Sequence, residues 1–137
     1  MTRDEVEALL EREFPQLYAD GPNHVIEEVG PLTASLRLVV TDRHLRPGGT
    51  VSGPAMMQLC DVGLYVAILA NAGPVSLAVT TNLSFNFLRK PEQRDIIARC
   101  RLLKLGKRLA VGEVSLAHAG SDDVLCHAVG TYSIPPR

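Results

Sequence analysis

Cysteine is scarce and shows no pairing pattern. Cys60, Cys100 and Cys126 are odd in number, far apart and lack a Cys-x-x-Cys spacing, which argues against a disulfide framework or a zinc knuckle and for a reducing, cytoplasmic setting. Charge of one sign is lacking too: 14 Lys plus Arg against 15 Asp plus Glu leave a formal charge of -1, with no basic field to hold nucleic acid or anionic lipid. Residues Met1 to Glu7 are charged where a secretory leader needs an apolar stretch. The four histidines, His24, His44, His118 and His127, have no metal-ligand spacing, and neither Gly-x-Ser-x-Gly nor Gly-x-Gly-x-x-Gly occurs. No metal, cofactor, nucleic acid or membrane is therefore expected as a partner.

What is present is the composition of a folded protein, 46% hydrophobic and 21% charged over 137 residues, enough for one domain spanning 1–137. Thr2 with Glu5 three residues on, then Val6, Leu9, Leu10 and Phe14, predicts a short amphipathic helix at about 2–14. Alternation over Leu32 to Val40 predicts a strand, with another before it across His24 to Glu28. Gly48, Gly49 and Gly53 punctuate the loop that follows. Ser52 before Gly53-Pro54 reads as the N-cap of a long helix to about Asn71, and the apolar run from Pro54 to Ala72, interrupted by Gln58, Asp61 and Gly63, reads as that helix buried. Strands are expected at 76–87, 95–104, 108–118 and 124–133. The tally is an α+β chain, one long helix against five or six mostly antiparallel strands.

From Pro47 to Leu88 there is no Lys, Arg, Glu or His, and Asp61 is the single acid. A carboxylate in an apolar helix must be hydrogen-bonded, paired, solvated or used. The start of the same helix offers a second feature: glycines that admit a ligand, and the N–H groups of Gly53, Ala55 and Met56, which can polarise a carbonyl and hold an oxyanion. Together these suggest acyl transfer. Asp61 lies about 12 Å along the axis from Gly53 at ~1.5 Å per residue, whereas a group acting on a bound carbonyl must come within about 3 to 3.5 Å or reach it through one water. Two antiparallel helices in a symmetric dimer would remove the conflict, the tip of one facing Asp61 of the other.

The segment Arg46-Pro47-Gly48-Gly49-Thr50-Val51-Ser52-Gly53-Pro54-Ala55-Met56-Met57-Gln58-Leu59-Cys60-Asp61 resembles the signature of hotdog-fold acyl-CoA thioesterases of the PaaI type. Val79-Thr80-Thr81-Asn82-Leu83-Ser84-Phe85, then Phe87-Leu88-Arg89-Lys90-Pro91 and Leu105-Gly106-Lys107-Arg108-Leu109-Ala110, extend the likeness. The resemblance implies a long central helix wrapped by the sheet, an acyl-CoA substrate, no cofactor and a homo-oligomer, a dimer or a dimer of dimers. It implies Gly53 N–H as oxyanion donor and Asp61 of the partner as nucleophile or general base. Ser52 stands where the family usually has His, Pro54 replaces a glycine, Arg46 takes the place of an Asn, and Ala78 falls where a hydroxyl is often found. Ser52 and Arg46 are the expected helpers in ordering water or substrate. Met56, Met57, Leu64 and Tyr65 are the expected acyl-pocket lining, and Arg89, Lys90, Lys107 and Arg108 the expected CoA contacts. The alternative implied by the departures is a catalytically silent acyl-CoA-binding hotdog.

Overall fold

Thr2 accepts from Glu5 N–H while the Glu5 side chain accepts from Thr2 N–H, so the expected capping box starts α1 at Arg3–Glu13. The structure, a computed structural model, describes residues 1–136. β1 (His24–Gly30) and β2 (Thr33–Leu38) form a hairpin. After a glycine-rich loop comes α2 (Gly53–Ala72), followed by β3 (Val79–Phe87), β4 (Ile96–Leu105), β5 (Leu109–His118) and β6 (Val124–Ser133). All pairings are antiparallel, in the order β1-β2-β4-β5-β6-β3. β3 thus leaves its sequence neighbours and occupies an edge. One sheet packed on one long helix is the α+β hotdog arrangement.

Small residues bring α2 against the sheet. A Cβ on Gly63 would fall 2.5 Å from Cys100 Sγ, and Cβ atoms on Gly112 and Gly130 would fall 2.6 and 2.8 Å from the methyls of Leu64. Leu64 therefore enters a slot that two sheet glycines hold open. The helix is long and apolar enough to cross a membrane, yet most of that stretch is buried within the protein. Its open side is a stripe of Pro54, Met57, Gln58, Asp61 and Tyr65, at the i, i+3, i+4 spacing of one helical face. The expectation of a buried helix holds for most of its length, and this stripe is the side that the single layer of sheet leaves uncovered.

At the start of β1 His24 is buried, and neither ring nitrogen has a hydrogen-bond partner among the described residues. Burial, helped by nearby His44, pushes its pKa down to about 4. The unfolded chain binds the extra proton below pH 6.5 and the native state does so only near 4. Stability is consequently present above pH 6.5 and lost as pH falls toward 4, by about 2–3 kcal/mol from this residue. Urea unfolding at pH 7 and 4.5 should show His24→Leu about as stable as wild type at pH 7 and less sensitive to acid. Equal acid sensitivity in both proteins would reject this account.

Candidate functional site

Ser52 N–H donates to the His44 carbonyl at 2.7 Å, fixing where α2 begins, and the Ser52 hydroxyl accepts from Ala55 N–H at 3.2 Å. Met56 N–H donates to the Ser52 carbonyl. With proline at 54 offering no hydrogen, the Gly53 N–H is the one donor of the tip left without a partner among the described residues. This narrows the expectation of three free donors, since the cap consumes two. It also gives Ser52 a job as helix cap. A cleft of about 450 Å³ opens in front of the tip, lined by Arg46, Gly53, Met56, Phe87, Arg89 and Lys90. The position of a Gly53 Cβ lies 3.9 Å from the Phe87 ring, so the C-terminal end of β3 borders this cleft. Arg46, Arg89 and Lys90 are exposed around it.

Asp61 sits at the other end of β3. Thr80 Oγ1 donates to Asp61 Oδ1 at 2.7 Å, and the Tyr132 hydroxyl contacts both Asp61 Oδ1 and, at 2.7 Å, the Asp61 main-chain carbonyl. Tyr132 is 3% exposed, and burial, followed by the charge of Asp61, pushes its pKa up, so the hydroxyl keeps its proton. Beside the carboxylate lies a cavity of about 550 Å³ whose walls include Phe14, Gln58, Val62, Tyr65 and Ala78. Phe14 meets Tyr65 edge to face at 6.4 Å, and Tyr65 donates to the Ser76 carbonyl, which fixes both rings. The end of α1 therefore walls the Asp61 cavity.

Thr80 reaches Asp61 because of a bulge. Along β3, Phe87, Phe85 and Leu83 oppose Cys126, Ala128 and Gly130 of β6, buried positions on the face that packs against the helix. Strict alternation would next put Thr81 on that face. The register instead shifts between Thr80 and Asn82, and Thr80 pairs with Tyr132. Here the expectation of a lost hydroxyl at Ala78 is corrected: Thr80 supplies one, and Tyr132 a second. Tyr132 was detectable as the polar member of the core-facing series Cys126, Ala128, Gly130, Tyr132; Thr80 was not, since its phase depends on the bulge.

The remaining candidate residues separate clearly. Met56 and Tyr65 line different cavities, the first at the tip and the second beside Asp61. Met57 is exposed on the open helical stripe, lining neither cavity. Leu64 is 1% exposed and is taken up by the Gly112–Gly130 slot, which removes it from the acyl-pocket set. Lys107 and Arg108 lie in the β4–β5 turn, beside a cleft formed with Asn71 and Leu105 at the C-terminal end of α2, away from the tip of the same chain. The three cysteines are buried and free. Contact with Cys126, then burial, pushes the Cys60 thiol up, and burial pushes Cys100 up to about 12, so both are core groups without thiolate character. Among the described residues no group of three or more His, Cys, Asp or Glu is placed to hold a metal ion.

The family model of the thioesterase superfamily matches residues 48–125, which contain both the helix tip and Asp61. The chain belongs to the thioesterase superfamily. Membership assigns it to hydrolases of thioester and ester bonds. A solved structure from Silicibacter sp. TM1040, described as a candidate thioesterase, is 44% identical, with 99% of this chain and 93% of that one covered and a TM-score of 0.87. A candidate esterase of Pseudomonas aeruginosa is 29% identical over 131 residues, 89% of this chain and 95% of that protein. The fold is shared with the phenylacetic acid degradation protein PaaI of Thermus thermophilus, in a variant structure, at 20% identity, 82% and 94% coverage and a TM-score of 0.71.

Proposed function

We propose that the protein is an acyl-CoA thioesterase whose active site is shared between two subunits. The observation that carries this reading is the placement of the two half-sites. The donor tip of α2, with its basic rim, borders one end of edge strand β3, and hydrogen-bonded Asp61 borders the other. Leu83 is the middle residue of the nine in β3. A two-fold axis there would pair β3 with its own copy, supply the missing ladder partners of an open edge and bring each tip to the partner's Asp61. It would also cover the open stripe of α2.

In that site the thioester carbonyl oxygen accepts from Gly53 N–H of one subunit, which holds the charge that develops during attack. Asp61 of the other subunit either attacks the carbonyl carbon, expelling CoA thiolate and leaving an acyl-aspartyl anhydride that water cleaves, or takes a proton from an attacking water. Both routes yield free acid and CoA. The acyl group occupies the cavity walled by Phe14, Val62 and Tyr65, while Arg46, Arg89 and Lys90, with Lys107 and Arg108 from the turn, contact the CoA phosphates. The homo-oligomer is a dimer or a dimer of dimers, and its buried free thiols suit a cytoplasmic setting.

A second reading, a silent acyl-CoA-binding protein, is favoured by the use of Ser52 as a cap and the presence of Arg46 where the resembling family has Asn. Free-thiol release from short, medium, long-chain and aryl acyl-CoA esters decides between them. Turnover is expected for at least one class; binding of the esters without thiol release from any of them would transfer the assignment to the binding protein.

A further inference from the structure

We infer that Tyr132 is a positioning residue that locks Asp61 in one side-chain rotamer, with Oδ2 as the oxygen presented to the thioester or its water; the inference rests on the shared-site thioesterase reading above. A short side chain on an open helical stripe would ordinarily exchange among staggered rotamers. Asp61 is held at both ends instead. The Tyr132 hydroxyl has one proton and lies against two acceptors of the same residue, its main-chain carbonyl and its carboxylate Oδ1. Touching both fixes the two torsions between them. Thr80 donates to the same Oδ1, so both hydroxyls load one oxygen, and Oδ2 receives no donor among the described residues.

The two hydroxyls arrive as a unit. Thr80 and Tyr132 are directly opposed on β3 and β6, and Tyr132 is also opposed to Ala110 of β5, which places it inside the sheet with little freedom of its own. Tyr132 is buried, whereas Thr80 lies on the exposed edge. Of the two donors Tyr132 is thus the rigid one. A carboxylate fixed before substrate arrives meets the carbonyl without the reorganisation that a mobile one requires, so the benefit appears in turnover rather than in binding.

Tyr132→Phe removes the hydroxyl and keeps the ring; Tyr132→Met serves in its place if the Phe variant does not fold. Two measurements test the inference. The three-bond Hα–Hβ couplings of Asp61, read by NMR on the folded oligomer, should report one rotamer in wild type and averaged values in the variant. With the best acyl-CoA ester, kcat should fall about 10- to 50-fold while KM stays within about twofold. A single Asp61 rotamer retained in the variant, or an unchanged kcat, would overturn the inference. If wild type hydrolyses no ester, the thioesterase reading fails by itself, and the couplings still decide whether Tyr132 holds Asp61.

Discussion

Asp61→Asn is expected to lower thioester turnover by about a thousandfold, within the range for removal of a catalytic base or nucleophile, with little change in fold stability. The amide oxygen of the substituted side chain can accept from Thr80 and Tyr132 as the carboxylate does, so the local bonds keep an acceptor. Position 61 is half-open, so the amide NH2 can be solvated instead of stranded. The substitution therefore isolates charge and nucleophilicity from shape. Thermal unfolding should move by no more than about 1 kcal/mol equivalent, and KM for the ester should change little because the acyl cavity and basic rim are untouched. Retained turnover in this variant would remove Asp61 from the chemistry and with it the proposed mechanism. Collapse of turnover together with collapse of the oligomer would be uninformative, which is why Asn is the better choice than Ala.

The second large effect is a recovery. Gly53→Pro deletes the free N–H at the first position of α2, where proline is tolerated by helix geometry, and should cost about a hundredfold or more in kcat through loss of the oxyanion donor. Each homodimer of Gly53→Pro or Asp61→Asn has two defective sites. When the two are unfolded together and refolded as a mixture, a mixed dimer carries both lesions in one site and neither in the other. Random pairing makes half the dimers mixed, so about a quarter of wild-type activity should return. The alternative geometry, with tip and carboxylate from the same chain acting on one carbonyl, predicts no recovery at any mixing ratio. Thiol release against mixing fraction, peaking at equal parts, is the diagnostic curve. Titrating one inactive protein into the other without unfolding is the control, because recovery should then wait on subunit exchange.

How much of this was readable beforehand follows from how local each feature is. The capping box of α1 and the start of α2 depend on residues within four positions of each other, and both appear where the sequence places them. Asp61 was conspicuous because the stretch from Pro47 to Leu88 contains no other acid or base. Features that depend on distant partners were not available. Which strand neighbours β3 is decided by pairing with β6, far along the chain. Leu64 looked like any apolar residue of the helix until glycines 112 and 130, from two separate strands, opened a slot for it. The Gly53 N–H stands apart from the other tip donors because those are taken, one by a serine hydroxyl and one by a carbonyl, a division that depends on how the cap folds. Lys107 and Arg108 are basic turn residues in sequence, and only the fold shows that they sit at the opposite end of α2 from Arg89 and Lys90.

The extra residue in β3 has an evolutionary corollary. Because the bulge sets Thr80 opposite Tyr132 and strict alternation would set Thr81 there, either register carries a threonine hydroxyl to the acid. Loss of one of the two threonine codons would straighten the strand and leave the other threonine opposite Tyr132, two residues before Leu83. The paired threonines thus make the donor to Asp61 Oδ1 tolerant of a one-residue deletion at the bulge. A change of side chain at Thr80 is the lesion that the bulge does not absorb, since it removes the donor that the present register brings to the carboxylate.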